Sequence, residues 1–469
     1  MCQITEEREF ERRIRYSGGC YMLRCDSRQI EKGDSFIAIS GENIDGHQYI
    51  EDAIEAGATK IIAEYGSYEV ETIIVPDTKE YLKQYIETYK EQLKDMHIIG
   101  MTGTNGKTTT CFLLYQALNQ VGKKCAYIGT IGFYIERKIR DLHNTTPEIL
   151  ELYEMLLEAK EAGCTYVVME VSSHALQQER VYGLQFEVAI ISNITREHLD
   201  YHKTMKDYAL AKQKLFYQVA QDGIAIIPTA IDFYSLFILP TNHNITYGKD
   251  GDYQMTSIHL EKNKSLFTLL HNEEEKSYEI SLIGEYNVYN MINVIIVLEY
   301  LGIPNIEQIV LNLTPPPGRM DQISDQDNLI IVDYAHTPDA VENVLNLVHQ
   351  ISNQKVYVII GCGGNRDKEK RPLMAEIATR LSDHVIFTTD NPRNEEPKDI
   401  IKDMTQNIKN SNYEIELDRT EAIHKGIDLL KGNDILLILG KGHENYQIVK
   451  GEKQFFDDKI TVFNYLNQK

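Results

Sequence analysis

The sequence lacks the features that mark secreted, membrane-spanning and zinc-binding proteins. Its seven cysteines are odd in number and form no C-x-x-C pair, so neither a disulfide framework nor a zinc site is indicated. No apolar run approaches the roughly 20 residues that a membrane-spanning helix needs. The opening residues MCQITEEREFERRIRYSGG are charged and contain no apolar core of a signal peptide. We therefore expect a protein of the reducing cytoplasm without membrane insertion.

A basic charge balance is also missing. The chain has 48 Lys and Arg against 70 Asp and Glu, a formal net charge of −22, which argues against a nucleic-acid partner because such surfaces are basic. Small anionic ligands stay compatible with this charge, since a glycine loop and a few cations can bind phosphate locally. The content of 42% hydrophobic and 25% charged residues is that of a globular protein. With 469 residues the chain is long enough for two to four domains.

The strongest local pattern is a glycine-rich loop over Gly103–Thr109. A short apolar run at 97–102 precedes the loop, and helical spacing of apolar residues follows it. Glycines let backbone N–H groups turn onto a polyphosphate, Lys107 adds a cation and Thr108 a hydroxyl for Mg²⁺. The strict P-loop spacing would place a glycine at Met101, so an ordinary glycine turn is the alternative at this point.

Alternating strand and helix patterns predict an α/β fold with three domains. The predicted boundaries give a small N-terminal α/β domain over 1–95, a central domain with a parallel sheet over 96–315 and a C-terminal Rossmann-like domain over 316–469. The triple proline within 314–318 predicts the linker between the last two. Alternation over 253–283 predicts a β-hairpin insertion.

Short β-branched runs predict buried strands. They are Ser35–Ser40, Lys60–Ala63, Tyr166–Met169, Val188–Ile191, Ile224–Ile227, Leu329–Val332, Val356–Ile360, Val385–Phe387 and Ile435–Leu439. A helix is predicted from His47 to Ala56, and another after 145–148, with a Thr as its cap. Ligands gather at the carboxyl ends of strands in open α/β sheets, so Glu170 and the stretch SNITREHLDYH at 192–202 are candidate metal ligands. A salt-bridge partner and structural histidines are the alternatives.

Taken in order, the motifs resemble those of the Mur ligase family. They are GTNGKTT (103–109), NTTPE (144–148), MEVSSHAL (169–176), SNITREHLDYH (192–202), GEYNVYN (284–290), PGRM (317–320), VDYAHTPDA (332–340), GCGGNRDKEKRP (361–372), DNPRNEEP (390–397) and GKGHENYQ (440–447). A DSR…DGH signature at 26–47 is similar to the uridine-binding domain of the family, with Lys32 in place of the usual proline. The resemblance implies a UDP-binding, an ATP-binding and an amino-acid-binding domain, in that order.

The resemblance also implies roles for individual residues. The implied catalytic residues are Lys107, Glu170, His198 and Lys212. The ATP site would comprise Gly103, Thr104, Asn105, Gly106, Lys107, Thr108, Thr109, Asn290, Arg319, Asp333 and His336. Mg²⁺ would be held by Thr108, Glu170, His198 and Lys212, the last as a carbamate (N6-carboxylysine). The UDP-muramoyl-dipeptide site would comprise Cys25, Ser27, Glu42, Asn43, Ile44, Asn144, Thr145, Thr146, Ser172, Gln178 and Arg180. The diaminopimelate site would comprise Arg366, Asp390, Asn391, Pro392, Arg393, Gly440 and Glu444.

Two of these roles depend strongly on the resemblance. Without it, Lys212 has the pattern of a solvated helix lysine; as a carbamate it would become an anionic oxygen ligand. Arg393 in the DNPR motif would bind the distal carboxylate of diaminopimelate, and a guanidinium there would repel the ammonium of lysine. Asn365 stands beside Arg366 where the family usually has aspartate.

The implied activity is that of an ATP-dependent acid–amino-acid ligase of peptidoglycan precursor synthesis. It would add meso-2,6-diaminopimelate to UDP-N-acetylmuramoyl-L-alanyl-D-glutamate through an acyl phosphate on the D-Glu γ-carboxylate. The alternatives are the same ligase with L-lysine or another diamino acid, a Mur-like ligase of another pathway, and a non-catalytic nucleotide-binding regulator. We expect a cytoplasmic monomer with small-molecule substrates and ATP and Mg²⁺ as cofactors.

Overall fold

The computed structural model describes residues 22–41, 45–261, 263–325 and 327–468 of the chain. Over these residues five β-sheets form, and the larger sheets alternate with helices along the chain. This is the α/β class that the sequence pattern predicts. None of the helices in the described ranges is long and apolar enough to cross a membrane.

The elements of the described residues follow in chain order. The strands are β1 (Leu23–Arg24), β2 (Ser35–Ile37), β3 (Lys60–Ala63), β4 (Glu71–Ile74), β5 (His97–Thr102), β6 (Cys125–Gly129), β7 (Gly132–Ile135), β8 (Arg137–Arg140), β9 (Tyr166–Glu170), β10 (Phe186–Ile191), β11 (Val219–Pro228), β12 (His243–Tyr247), β13 (Gln254–Leu260), β14 (Ser265–His271), β15 (Glu274–Ile280), β16 (Asp321–Asp325), β17 (Asn328–Asp333), β18 (Val356–Ile360), β19 (His384–Phe387), β20 (Tyr413–Ile415), β21 (Ile435–Leu439), β22 (Tyr446–Val449) and β23 (Glu452–Phe455). The α-helices are α1 (Ile50–Glu55), α2 (Thr78–Leu93), α3 (Lys107–Gln120), α4 (Ile149–Glu161), α5 (Ser173–Gln177), α6 (Leu199–His202), α7 (Met205–Gln213), α8 (Tyr234–Phe237), α9 (Glu285–Tyr300), α10 (Ile306–Leu311), α11 (Pro338–Ile351), α12 (Lys370–Arg380), α13 (Pro397–Thr405), α14 (Arg419–Leu429) and α15 (Asp458–Leu466).

The chain folds into two compact units. One comprises Met1–Asn105 with Leu118–Ile245, and the other comprises Gly106–Ala117 with Thr246–Lys469. The first unit contains the sheet of β1–β4 and most of the eight-stranded sheet, and the second contains the sheets of β13–β15, β16–β21 and β22–β23. The domain boundaries near residues 95 and 315 stay a prediction.

The small sheet of the first unit has the strand order β1-β2-β3-β4, with every pair parallel. Phe36 and Ile61 pack in one apolar cluster with helix α1, whereas Ile37 and Ile62 pack in the larger core of the unit. Neighbouring residues point to opposite faces because side chains alternate along a strand.

The sequence predictions for this domain hold in part. The strand at Lys60–Ala63 is confirmed, but the strand predicted over Ser35–Ser40 ends at Ile37. The helix predicted from His47 begins as a 3-10 turn over Gly46–Tyr49 and continues as α1.

The large sheet of the first unit has the order β12-β11-β10-β5-β9-β6-β7-β8. Its strands from β11 to β6 are parallel, which confirms the three central strands that the sequence predicts. In this register Met101 of β5 lies beside Glu170 of β9 and Ile190 of β10. The carboxyl ends of β5, β9 and β10 therefore meet at one edge, where open α/β sheets bind ligands.

The insertion in the second unit has one strand more than the predicted hairpin. Strands β13, β14 and β15 form a three-stranded antiparallel sheet rather than a hairpin. Asn272 and Glu273 connect β14 to β15 with φ of 50° and 66°, the left-handed geometry of a tight hairpin turn. Asn-Glu lacks the glycine that usually marks this turn, so the sequence carries a weak signal for it.

The C-terminal sheet has the order β16-β17-β21-β18-β19-β20 and is parallel except at β16. All four strands predicted in this region are confirmed. Leu439 of β21 lies beside Asp333 of β17 and Ile360 of β18. The polar loops that follow β17, β18 and β21 therefore share one edge of the sheet.

A buried ion pair joins two helices of this region. Arg419 of α14 and Asp458 of α15 are 1% and 0% exposed, and Asp458 accepts from Nε and Nη2 of Arg419 at 2.7 Å each. Nη2 also donates to the carbonyl of Leu439 at 3.1 Å, so the pair reaches the end of β21.

Arg419→Met should reduce the free energy of unfolding by about 3–5 kcal/mol, because it leaves the Asp458 carboxylate buried without its cation. The matched control is Lys425→Met in the same helix, whose pair with Glu416 is solvent-accessible and should contribute only about 0–1 kcal/mol. Urea unfolding followed by circular dichroism measures both variants. An equally small loss of unfolding free energy in both variants would contradict the structural role of the Arg419–Asp458 pair.

Candidate functional site

The glycine loop has the strand–loop–helix form that the sequence predicts. β5 ends at Thr102, Gly103 and Gly106 have φ of 140° and 89°, and α3 begins at Lys107. Positive φ favours glycine, which has no Cβ to clash with the backbone. The missing glycine at Met101 does not prevent this loop, because Met101 lies within β5 itself.

The two residues that follow β10 fix the backbone of the glycine loop by hydrogen bonds. Ser192 Oγ donates to the carbonyl of Asn105 at 2.5 Å, and Asn193 Oδ1 accepts from the backbone N–H of Asn105 at 2.9 Å. The backbone carbonyl of Asn193 accepts from the N–H of Thr104 at 2.9 Å. A Cβ on Gly103 would lie 2.0 Å from Ser192 Oγ, so only glycine fits here.

Helix α7 contacts the same loop. The hydroxyls of Thr104 and Tyr208 are 3.2 Å apart, and Lys212 Nζ donates to the carbonyl of Gly103 at 2.8 Å. Lys212 is 1% exposed, and its ammonium lies 4.4 Å from the centre of the Tyr208 ring. The interpretation of Lys212 as a solvated lysine is therefore wrong. Residues four apart share one helix face, and this face of α7 is turned to the loop.

Glu170 ends β9 with a fully buried carboxylate. Its Oε1 accepts from the Tyr127 hydroxyl at 2.5 Å and from the backbone N–H of Thr130 at 2.9 Å, and its Oε2 accepts from Thr130 Oγ1 at 3.1 Å. The Thr130 hydroxyl lies 3.1 Å from that of Thr145. These donors fix the orientation of Glu170 and connect it to the NTTPE motif.

The NTTPE motif does not cap its helix as predicted. Helix α4 begins at Ile149 after Glu148, and no side chain caps it. Thr146 Oγ1 instead donates to the backbone carbonyl of Glu170 at 2.9 Å and accepts from the N–H of Ser172 at 3.0 Å. The predicted Thr cap is wrong because this hydroxyl binds the end of β9.

Arg180 lies against the same motif. Its Nη1 donates to the carbonyl of Thr146 at 2.9 Å, and its Nη2 lies 2.8 Å from Glu148 Oε1 and 2.6 Å from Gln178 Oε1. Asn144 is exposed beside them, with Nδ2 3.5 Å from Glu148 Oε1. The structure thus brings together the residues of the two motifs that the sequence assigns to the muramoyl dipeptide.

His198 belongs to a cluster of rings. It has φ of 54°, a side chain 43% exposed, and a ring centre 4.7 Å from that of His174 and 6.2 Å from that of Tyr208. His202 is buried, with Nε2 3.0 Å from Ser173 Oγ. Of the two histidines in the 192–202 motif, His198 is the accessible one and His202 is a buried structural residue.

The donors present fit magnesium better than a soft metal. Within the described part of the chain, no group of three or more His, Cys, Asp or Glu side chains could hold a metal ion. Mg²⁺ usually takes one or two carboxylates from the protein and completes its shell with water and phosphate oxygens. The Glu170 carboxylate and the Thr108 hydroxyl are oxygen donors of this kind.

Asp333, in the second unit, has a buried carboxylate at the end of β17. It accepts from the N–H groups of Met320 and Ala335 at 2.7 and 2.8 Å. Burial raises the pKa of Asp333, and the nearby Arg319 opposes the shift. The Arg319 guanidinium lies 5.0 Å from the centre of the Tyr334 ring. The structure thus places Arg319 and Asp333, two predicted nucleotide residues, beside each other.

His336 and Asn290 lie in the same unit. His336 Nδ1 is 2.8 Å from the carbonyl of Tyr334, and burial lowers the pKa of His336. The carbonyl can only accept, so Nδ1 carries the proton and Nε2 of a neutral imidazole is left as a hydrogen-bond acceptor. Asn290 is buried on α9 and donates to Asn287 Oδ1 at 3.1 Å.

The loops after β18 and β19 are joined by hydrogen bonds. The N–H of Gly364 donates to the carbonyl of Asn391, and Arg393 Nη1 donates to the carbonyl of Gly364, both at 2.9 Å. The N–H of Asn394 donates to Asn365 Oδ1 at 3.1 Å. The GCGGNR and DNPR motifs therefore form a single hydrogen-bonded pair of loops.

Asn365 fits this structure in place of the usual aspartate. Its φ of 51° is a left-handed conformation that Asn tolerates. Its carboxamide oxygen makes the bond to Asn394 that a carboxylate oxygen could also make. The turn that precedes the exposed Arg366 is thus built without an aspartate.

A buried arginine supports both loops. Arg371 is fully buried, and its guanidinium donates to the two oxygens of Glu395 at 2.9 and 3.0 Å and to the carbonyl of Gly363 at 3.2 Å. Glu395 Oε1 also accepts from the N–H of Asn365 at 2.5 Å. The hydrogen bond from Arg371 lowers the pKa of Glu395 to about 2, so this carboxylate stays charged near neutral pH.

The loops after β19 and β21 each carry a carboxylate, Asp390 in the first and Glu444 in the second. Glu444 Oε2 accepts from Asn391 Nδ2 at 2.7 Å, and burial raises the pKa of Glu444. Gly440 has φ of 112°, and a Cβ there would lie 2.7 Å from Asp390 Oδ2. A side chain at position 440 would therefore displace the Asp390 carboxylate.

Two of the positions predicted to bind uridine lie in or beside the small sheet of β1–β4. Cys25 and Ser27 follow β1, and burial raises the pKa of the Cys25 thiol to about 12, so Cys25 stays protonated. Glu42, Asn43 and Ile44 lie outside the described residues.

The DGH motif beside these positions stabilises its own domain. His47 Nδ1 lies 2.7 Å from Asp45 Oδ1, and His47 Nε2 accepts from the N–H of Glu64 at 3.0 Å. Both ring nitrogens are thus used within the fold, so His47 has a structural role.

Three family models match successive parts of the chain. They are described as Mur ligase family, catalytic domain (residues 20–94), Mur ligase middle domain (101–298) and Mur ligase, glutamate ligase domain (318–442). A protein of Aquifex aeolicus named UDP-N-acetylmuramoyl-L-alanyl-D-glutamate–2,6-diaminopimelate ligase is 42% identical over 446 residues, which cover 94% of this chain and 92% of that protein. The chain belongs to the Mur ligase family.

Other relatives of this Mur ligase agree with the match. A protein of Halalkalibacterium halodurans with the same name is 39% identical over 463 residues, covering 96% of this chain and 95% of that protein. A solved structure of a ligase of the same name has a TM-score of 0.69 and 33% identity over 96% of this chain and 95% of that one. The MurF ligase of Thermotoga maritima in complex with ADP, with a TM-score of 0.64, 18% identity and coverage of 96% and 97%, shares the fold.

Several residues that contact the predicted site residues were not predicted from the sequence. Tyr127 and Thr130 bind Glu170, and Tyr208 contacts the glycine loop. A tyrosine within an apolar strand or on a helix has the pattern of a core residue. Thr130 alone carried a usable signal, because it follows the end of β6 at the ligand-binding edge of the sheet.

Gly103→Ala should weaken nucleotide binding by this Mur ligase at least about tenfold, since left-handed strain alone amounts to about 1–3 kcal/mol and the new Cβ would collide with Ser192. Gly122→Ala is the matched control: Gly122 also has positive φ, of 77°, but nothing lies within 4 Å of its Cβ position. Titration with a fluorescent ATP analogue measures both. Equal affinities for the two variants would contradict the assigned loop.

Proposed function

We propose that this Mur ligase joins meso-2,6-diaminopimelate to UDP-N-acetylmuramoyl-L-alanyl-D-glutamate, with ATP converted to ADP and phosphate, in peptidoglycan precursor synthesis. The observation that carries the proposal is the 39–42% identity, over nearly the whole chain, to relatives named for this reaction. A solved ligase of Acinetobacter baumannii that is named for a different Mur reaction is 22% identical.

The glycine loop is the proposed phosphate site. The N–H groups of a left-handed loop that ends at a helix start form an anion-binding surface, and Lys107 adds a positive charge. Such groups stabilise charge that builds up on a transferred phosphoryl group. Asn290, Arg319, Asp333 and His336 are the further residues proposed to bind the nucleotide.

We propose that Thr108, Glu170 and His198 would hold Mg²⁺, together with Lys212 as a carbamate. When bound, Mg²⁺ would neutralise charge on the phosphate oxygens. The burial of Lys212 beside the carbonyl of Gly103 supports the modification, because an ammonium held there has almost no water around it. In carbamate formation the ammonium first loses a proton and the neutral amine attacks CO₂. An N–C bond forms as one C=O π bond breaks, and a second proton is released, so the cation becomes an anion.

The dipeptide substrate is proposed to bind at the NTTPE and MEVSSHAL motifs. Arg180 provides a cation held by Glu148 and Gln178, and Thr146 fixes the backbone next to Glu170. An acceptor carboxylate bound there would lie at the edge of the sheet that carries the glycine loop. Cys25 and Ser27 are the proposed uridine contacts.

Two displacement steps then form the amide. The γ-carboxylate of the D-glutamyl residue attacks the γ-phosphorus of ATP, a new P–O bond forms, and the bond to the bridging oxygen breaks to release ADP. The free amino group of diaminopimelate attacks the acyl carbon, a C–N bond forms, and the C–O bond breaks to release phosphate and a proton. The protein contributes positioning and electrostatic stabilisation, and no side chain needs to form a covalent intermediate.

The diamino acid is proposed to bind at the two joined loops. Arg393 is anchored through Nη1 to Gly364, and its backbone N–H donates to the carbonyl of Ile448 at 2.9 Å. An anchored guanidinium suits a carboxylate and repels an ammonium, which supports diaminopimelate over lysine. Arg366, Asp390, Asn391, Pro392, Gly440 and Glu444 are the other proposed contacts. The monomeric state and the cytoplasmic location stay predictions.

Arg393→Ala should raise the KM for diaminopimelate at least about 30-fold, because loss of one partner of a buried charge pair amounts to about 2–5 kcal/mol. The KM for ATP should not change. Arg380→Ala, which removes an exposed arginine paired with Glu342 in the same unit, is the control. Phosphate release with either meso-diaminopimelate or L-lysine as acceptor measures all three proteins.

Turnover by the unmodified protein with L-lysine but not diaminopimelate would overturn the specificity. No turnover with either acceptor, together with tight ATP binding, would favour a ligase of another pathway or a non-catalytic regulator.

A further inference from the structure

Lys441 is a fully buried lysine next to the proposed diamino-acid site. Its side chain is 0% exposed, and its Nζ lies 2.5 Å from the carbonyl oxygen of Tyr446, 3.3 Å from Glu444 Oε2 and 3.4 Å from Asn391 Oδ1. A buried ammonium is stable only where acceptors replace its water. These three oxygens do so: Asn391 follows β19, Glu444 follows β21, and Tyr446 is the first residue of β22.

The same ammonium sets the orientation of Asn391. An ammonium can only donate hydrogen bonds, so the carboxamide oxygen of Asn391 must face Lys441, and that oxygen also accepts from the N–H of Ile448 at 2.9 Å. The NH₂ group of Asn391 is thereby turned to Glu444 Oε2, at 2.7 Å. Lys441 and Asn391 thus hold one oxygen of Glu444 from two sides.

The charge of Glu444 depends on its neighbours. Burial raises the pKa of Glu444, Lys441 lowers it, and Asp390 raises it again. Tyr334 and Arg419 also interact with this carboxylate. Without Lys441, Glu444 would lose its nearest cation and keep Asp390 as a like-charged neighbour.

We propose that Lys441 is a positioning residue for the diamino acid: its buried ammonium keeps Glu444 charged and oriented to receive the substrate ammonium, and it touches no substrate itself. This rests on the proposed function, in which Glu444 binds the amino acid. The proposal predicts a specific kinetic and pH signature for the loss of the Lys441 charge.

Lys441→Met should raise the KM for diaminopimelate about tenfold or more, the scale of one charge-assisted contact, while the KM values for ATP and for the UDP-muramoyl dipeptide stay within about twofold. The increase should grow as the pH falls from about 8 to about 6. Without the ammonium the pKa of Glu444 rises further, the protonated fraction grows towards low pH, and a neutral acid binds an ammonium weakly.

The control is Lys453→Met. The Lys453 ammonium lies 3.7 Å from the centre of the same Tyr446 ring, but its side chain is exposed. This variant should keep the KM and the pH profile of the unmodified protein. If Lys441→Met does not fold, as judged by circular dichroism and ATP binding, Lys441→Gln replaces it, because glutamine keeps a hydrogen-bond donor and removes only the charge.

The outcomes separate the two proposals. No turnover by the unmodified protein overturns the proposed function and this inference with it. The inference alone is overturned if the unmodified protein turns over and the folded Lys441 variant has the same KM for diaminopimelate as Lys453→Met. A parallel rise of all three KM values without a pH slope also overturns it, since that result indicates a merely structural lysine.

Discussion

The contact between the end of β10 and the glycine loop is the constraint on which the proposed site depends. Ser192 and Asn193 bind the backbone of residues 104–105, and this is possible because Gly103 has no side chain. The same loop receives the buried Lys212 from helix α7. One backbone shape therefore brings the carboxyl end of a strand, a helix and the glycine loop into contact, and a change in any of them would alter the others.

Two carboxylates of the molecule, the buried Glu170 and the half-buried Glu395, are oriented in the same way. Glu170 in the first unit and Glu395 in the second are both held by several donors that fix where the carboxylate points. In each case the donors belong to a different segment of the chain than the carboxylate does, so each carboxylate also joins two segments. This arrangement limits motion of the site residues before substrates arrive, which is what catalysis by positioning requires.

Much of the fold and part of the candidate site could be predicted from the sequence. The buried strands and the glycine loop have strong local patterns, and the ordered motifs indicated the family. The sequence could not show that Thr146 binds the end of β9 instead of capping α4, or that Lys212 is buried, because both depend on contacts distant in the chain. The support that Arg371 and Lys441 give to the loops proposed to bind the amino acid is hidden for the same reason, since a lysine or arginine in a polar motif is normally solvated.

The glycine loop alone does not determine whether the γ-phosphoryl group goes to a carboxylate or to water. An isotope measurement separates these outcomes directly: the UDP-muramoyl dipeptide is prepared with ¹⁸O in both oxygens of the D-Glu γ-carboxylate and turned over with ATP and diaminopimelate. An acyl phosphate intermediate predicts that one ¹⁸O atom appears in each phosphate released and the other stays in the new amide. Phosphate without ¹⁸O, with the oxygen taken from solvent, would contradict the account.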